Sequence, residues 1–105
     1  MKRTLLVSIG CLLLGGAFGV AQRKFLVYGE GNSSCGEWTS KRNLAANAAW
    51  LVGFVSGAGF VSPAPFKKTD TAGLEAWMDT YCAEHPLVSI ADAAGKLVDE
   101  LSAKR

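Results

Sequence analysis

The stretch "TDTAGLEAWMDTYCAEHP", residues 69–86, decides the fold. Leu74, Trp77, Met78, Tyr81 and Cys82 fall at i, i+3, i+4, i+7 and i+8, one unbroken face of a helix. Asp70 or Thr71 is placed to cap its start, and Glu75 sits in its early turns. Pro86 ends it, because the residue before proline resists helical geometry. Cys82 therefore belongs to the apolar, inward face. A reactive thiol there would be starved of water, whereas a disulfide packs well.

Two further helices follow from the same reading. "NLAANAAWLVGFVSG", from Asn43 to about Gly57, is rich in alanine, with Trp50, Leu51, Phe54, Val55 and Ala58 at helical spacing as a buried stripe. Its end is expected near Gly57 or Gly59. Gly53 and Gly57 lie four apart, which suggests the close approach of another backbone. The last helix opens at Ser89, with Asp92 three residues on as a capping box of the Asp type. Ile90, Ala93, Ala94, Leu97, Val98 and Leu101 form its stripe, and "SAKR" sets cations at its C-terminus. Between the first two helices, "FVSPAPFKKTD" reads as a proline-marked loop bearing Phe60 and Phe66. Either both rings tuck onto the core, or they form a contact surface.

The N-terminal third reads differently. "MKRTLLVSIGCLLLGGAFGVAQ" holds two cations, an apolar run from Leu5 to Ala21 and small residues at its end, the order of a secretory signal peptide. A retained membrane anchor is the competing reading, although seventeen glycine-rich residues are short for a bilayer span. A lipoprotein cleaved before Cys11 would have to use "VSIGC", a poor lipobox. The expected organisation is a signal peptide over 1–21, an N-terminal arm over 22–34 and a helical domain over 35–105. The class is all-α, three to four helices stapled by one disulfide. In the arm, Phe25 to Tyr28 are expected to pack on the helices and to end in the turn residues "GEGNSS". A single strand would have nothing to pair with. A short helix over Cys35 to Arg42 is a weaker expectation.

Removal of residues 1–21 leaves 84 residues. Of eleven Lys and Arg, Lys2 and Arg3 depart, so nine cations face nine Asp and Glu. A balanced chain gives no electrostatic case for nucleic acid. Arg23-Lys24, Lys41-Arg42 and Lys67-Lys68 read as solvated loop residues.

Cys11 leaves with the signal, and Cys35 and Cys82 remain as an even pair in an exported chain, the usual setting of a disulfide. A domain of this size benefits from such a staple. Zinc would want about four ligands, against two cysteines and one histidine. A Cys82–His85 catalytic pair would need its thiol on the wet side of the helix. No metal or cofactor is expected.

The chain Cys35, then "WLVGFVSG", then a polar loop, then Asp70-x-x-x-Leu74-x-x-Trp77 into "YCAEHP" and a capped last helix resembles the small periplasmic HdeA/HdeB acid-stress chaperones. The resemblance implies a signal peptide, an all-helical body, one disulfide of similar span and protein clients. "GFVSG", "EHP" and an alanine-rich final helix also look like the Tai-type immunity proteins, which neutralise amidase toxins.

Enzyme chemistry has little to stand on. Glu75 and Asp79, at i and i+4, resemble an acid/base pair or a solvated face. His85, at a helix end, suits a pH sensor or a cap. Trp38 covers the disulfide or anchors a partner. The expectation is a non-enzymatic secreted or periplasmic protein-binding domain, with Trp38, Phe60 and Phe66 as partner contacts and His85, Glu75 and Asp79 as pH sensors. Its partners would be other proteins, either unfolding clients or one cognate enzyme. No membrane contact is expected after cleavage, and a homodimer is compatible. A structural envelope component is the remaining alternative.

Overall fold

A computed structural model describes residues 25–103. The signal-peptide reading, Arg23-Lys24 and the C-terminal Lys104-Arg105 lie outside the described residues. Four α-helices follow a 3-10 turn over Gly29–Asn32: α1 (Cys35–Ser40), α2 (Leu44–Phe60), α3 (Thr71–Glu84) and α4 (Ile90–Ser102). Among the described residues there is no β-strand, only an isolated bridge between Ser34 and Ser89. The all-α expectation holds, and Phe25 to Tyr28 form an irregular arm.

The caps of α3 and α4 are those the sequence indicates. Asp70 accepts from the Gly73 amide at 2.8 Å, and Ser89 accepts from Asp92 at 3.0 Å. The buried faces also match. Leu74, Met78 and Cys82 from α3 meet Ile90, Ala93, Ala94, Leu97 and Leu101 from α4, with Leu51 and Val55 from α2 completing the core. Trp77, Tyr81 and Val98 lean on this cluster from its edge.

Cys35 and Cys82 are joined, with their Cα atoms 4.8 Å apart. The bond fixes α1 to the end of α3. Six residues would not hold a helix in water unaided, and α1 is supported from three further sides. Ser34 caps it by accepting from Glu37 N. The amides of Cys35 and Gly36, free at a helix start, donate to the carbonyls of Val88 and Pro86 at 2.7 and 3.0 Å. Ile90 N returns the tie to Ser33 O at 2.8 Å.

α2 departs from expectation in two ways. It runs on to Phe60, past both proposed glycine stops, and closes with Val61 N donating to Gly57 O. Gly59 continues the helix with the Phe66 ring against it, so close that an added Cβ would need the ring to give way slightly. Secondly, Gly53 and Gly57 face open space, so among the described residues no backbone approaches them. The helix has no charged residue. Leu51 and Val55 are buried, Trp50, Phe54 and Ala58 are half-buried, and Ala45, Ala49, Gly53 and Gly57 are exposed.

The loop after α2 is tied down rather than free. Lys67 N donates to Leu101 O at 2.8 Å, and its side chain pairs with Glu100 at 3.3 Å. Arg42 pairs with Glu37, and Lys41 with Asp79. Lys41, Arg42 and Lys67 thus lie in loops, as read from sequence, with Lys41 and Arg42 exposed, and each also meets an acidic partner. Sequence position alone could not show their acidic partners.

Candidate functional site

Three arrangements collect the residues singled out from sequence. The first is a polar latch between α1 and α3. Trp38 lies fully buried in the core cluster with both cysteines. Its indole N–H donates to Asp79 Oδ1 at 2.8 Å. Lys41 Nζ reaches the same oxygen at 2.5 Å and hangs 5.5 Å from the Trp38 ring centroid. Lys41 terminates α1 in the left-handed region, with φ of 64°. It is the only described non-glycine residue there, a conformation that costs about 1–2 kcal/mol. That turn carries its side chain back towards α3.

Burial is the largest single influence on Asp79, and acting alone it would raise the carboxyl pKa. Hydrogen bonds from Lys41 and Trp38, with the charge of Lys41, outweigh it and hold the carboxyl below the ordinary aspartate value. Glu75 is half-buried on the same helix and takes no part in the latch. The i, i+4 carboxylate pair is thus divided, with Asp79 committed across the fold. A partner-anchoring role for Trp38 is corrected by its burial, since no indole surface is left for a ligand. Covering the disulfide region is the role the packing gives it.

The second arrangement is a ladder on the edge of α3. Trp77 stacks on Tyr81, with ring centroids 5.0 Å apart, and Tyr81 stacks on His85 at 4.1 Å. His85 Nδ1 lies 2.9 Å from Tyr81 O, a distance at which Nδ1–H donates to that carbonyl. His85 follows the last turn of α3 as its C-cap residue. It thus joins the helix end by stacking and hydrogen bonding, and among the described residues it forms no ion pair with a carboxylate.

The third is an apolar groove of about 390 Å³ between the arm and α2, lined by Phe25, Leu26, Val27, Tyr28, Ala49, Trp50, Gly53 and Phe54. Its construction follows from two glycines. Trp50 donates its indole N–H to Tyr28 O at 2.6 Å and lies flat over Gly31, where any Cβ would collide with the ring. Gly29 supplies the positive φ, 77°, that turns the chain beneath the same indole. Trp50 then stacks on Phe54 at 5.1 Å, and Phe54 on Phe25 at 6.1 Å. Val27 is half-buried, whereas Leu26 and Tyr28 face outward, 79% and 77% exposed.

Phe60 and Phe66, paired as contacts in the sequence reading, separate here. Phe60 is 89% exposed at the end of α2. Phe66 packs against the core and Gly59, and lines a second cavity of about 370 Å³ with Val52, Ser56, Lys67 and Asp70. Sequence reasoning missed Lys41, whose partner lies 38 residues away. The arm expected to pack on the helices does so, Phe25 stacking on Phe54 and Tyr28 O accepting from Trp50, but the groove it makes with α2 was not read from the "FLVY" run.

Among the described residues no three His, Cys, Asp or Glu side chains gather as a metal site. No described helix is long and apolar enough to cross a membrane. Comparison with protein-family models, with curated proteins and with solved structures gave no match for this chain.

Proposed function

We infer that this is a non-enzymatic protein-binding domain of an oxidising compartment, secreted or periplasmic, whose hold on other proteins strengthens in acid. One observation carries the acid-dependent part: a single carboxylate, Asp79, joins α1 to α3 by accepting from both Trp38 and Lys41. Protonation removes the attraction for Lys41 and weakens the acceptor for Trp38. The contact between the two helices then rests on packing and on the Cys35–Cys82 bond, which protonation does not touch. Loosening α1 would uncover part of the apolar core to an unfolding client.

The apolar groove favours a second reading. It is open in the folded state and needs no acid, as an inhibitor of one cognate secreted enzyme would require. The two readings part in one experiment. Hydrophobic-dye binding, helicity and suppression of a client's aggregation are followed from neutral pH into strong acid, on the protein and on Asp79→Asn. The acid-responsive reading expects dye binding and protection to rise together below about pH 4, where carboxylates titrate. It expects Asp79→Asn to protect at higher pH. Protection that never appears, with helicity intact, would leave only the folded-state partner.

A further inference from the structure

The second cavity, about 370 Å³, has no part in either reading of function. Small-molecule sites run from roughly 300 to 1,000 Å³, so its size admits a small ligand. Val55, Leu74 and Leu101, one residue each from α2, α3 and α4, are buried at its floor, with half-buried Phe66 beside them. The loop along its edge is pinned. Lys67 donates its amide to Leu101 O at 2.8 Å and pairs its ammonium with Glu100 at 3.3 Å. The apolar floor is therefore formed before any ligand arrives.

The rim is a row of uncommitted donors. The hydroxyls of Ser56, Thr69 and Thr71 make no hydrogen bond among the described residues. Those of Thr39, Ser40, Ser62, Thr80 and Ser102 each donate to a nearby carbonyl. Thr69 Oγ1 stands where a Cβ on Gly73 would be, which sets that hydroxyl against the first turn of α3. Lys68 lines the cavity with no acidic partner among the described residues, unlike Lys41, Arg42 and Lys67. Asp70 is the one acid lining it, and its carboxylate is committed to the Gly73 amide as the cap of α3. We propose that this cavity binds a single-chain amphiphile with a carboxylate head, a fatty acid of medium length, its chain on the apolar floor and its carboxylate on the rim.

The rim chooses the head. Its unused groups are donors and a cation, so they call for an anionic acceptor. A cationic head would meet Lys68 and find no free acid. A phosphate monoester carries about 1.5 to 2 negative charges, whereas Lys68 is a single unpaired cation, which suits the single charge of a carboxylate. The floor chooses the tail, since it offers apolar side chains from three helices and no polar group to satisfy.

The inference is independent of the acid response and of the groove between the arm and α2. Isotope-labelled protein produced from the full 105-residue sequence is titrated at neutral pH with hexanoate, octanoate and decanoate below their micelle thresholds, and amide shifts are followed by NMR. Saturable shifts are expected at residues 52–59, 69–74 and Leu101. Affinity should rise by roughly fivefold or more at each two-carbon step, as methylenes leave water. Decyltrimethylammonium, with the same tail and the opposite head, should bind more weakly than decanoate by roughly fivefold or more. Lys68→Gln should weaken decanoate by roughly threefold. Ser56→Phe sets a ring across the mouth and should abolish the shifts. Both positions are exposed, so the two variants should keep the parent's helicity. Lys96→Gln removes the other described lysine without an acidic partner, away from the cavity, and should change nothing. No saturable shift, equal affinity for the two heads, tighter binding of decyl phosphate than of decanoate, or shifts confined to residues 25–28 and 49–54 would overturn the proposal.

Discussion

Trp38 and Asp79 are 41 residues apart in sequence, yet the indole N–H of one donates to the carboxylate of the other at 2.8 Å, next to the Cys35–Cys82 bond. The ring is buried and the carboxylate half-exposed, so removing the acceptor strands a polar group inside the fold. Asp79→Ala should cost about 1–3 kcal/mol, the penalty of an unpaired buried donor. Asp79→Asn keeps a neutral acceptor and loses only an exposed ion pair, so its cost should be under about 1 kcal/mol. Denaturant unfolding of both variants at neutral pH checks the order. Equal losses would mean that the Trp38 hydrogen bond contributes nothing.

The pH dependence has a definite sign. The Asp79 carboxyl is held below its unfolded value, so its stabilisation is complete above the unfolded pKa of about 3.9 and disappears as pH falls through the folded one. Solvent exposure keeps this contribution small, under about 1 kcal/mol. Parent protein should therefore lose more stability than Asp79→Asn on going from neutral pH to strong acid. Parallel stability–pH curves for the two would remove Asp79 from the acid response.

The disulfide closes a loop of 47 residues, and in the chain-entropy account constrains the unfolded state by about 4 kcal/mol. Replacing both Cys35 and Cys82 by Ser should lower the melting temperature substantially. α1 should suffer first, because six residues leave it only the packing of Trp38 and a few hydrogen bonds once the bond is gone. An unchanged melting curve, or free thiols in air-oxidised protein, would contradict the staple.

The helices that sequence located well, α3 and α4, have one apolar stripe each, a side-chain cap at Asp70 and Ser89, and burial that follows the stripe. The disulfide was legible by counting, since Cys35 and Cys82 are the even pair left once residues 1–21 are set aside, with too few other ligands for zinc. α2 was legible as a helix and in its stripe, since Leu51 and Val55 are buried and Trp50, Phe54 and Ala58 half-buried, but not in its end or in the use of its glycines: Gly53 and Gly57 meet no backbone among the described residues, and the helix runs on to Phe60. α1 has six residues, too few for a period, and exists through Val88, Pro86 and the disulfide. The latch was half legible. Asp79 stood out beside Glu75, but Lys41 follows "TS" in a run that reads as loop, and nothing local points 38 residues onward. Trp38 looked like an anchor because its sequence neighbours are polar, whereas its neighbours in space are core.

The turn "GEG" shows how closely the groove depends on absent side chains. Trp50 occupies the place a Cβ on Gly31 would take. Gly31→Ala should force the indole off the turn, at about 1–3 kcal/mol for overpacking. It should also break the Trp50–Tyr28 hydrogen bond and free the arm. Proteolysis near Phe25–Tyr28 should accelerate and the tryptophan emission should shift red. Wild-type susceptibility and emission in Gly31→Ala would show that the arm is not held by Trp50.

Asn47 points the other way, to a gain. It is the one buried polar side chain of the described core, 1% exposed, and its amide nitrogen has no hydrogen-bond partner among the described residues. It stands one turn before Leu51 on the buried side of α2. Burying an amide donor without a partner costs about 1–3 kcal/mol. Asn47→Leu replaces the amide with an apolar group of similar size and a better helix former. The variant should unfold at higher denaturant with an unchanged m-value, a stabilisation of about 1 kcal/mol. Asn47→Ala separates the two contributions. It also removes the orphan donor but opens a cavity, so it should gain less than Leu or lose slightly. A fall in stability with Leu, at unchanged helicity, would mean that the amide is satisfied in solution and that Asn47 is a polar tie within the core.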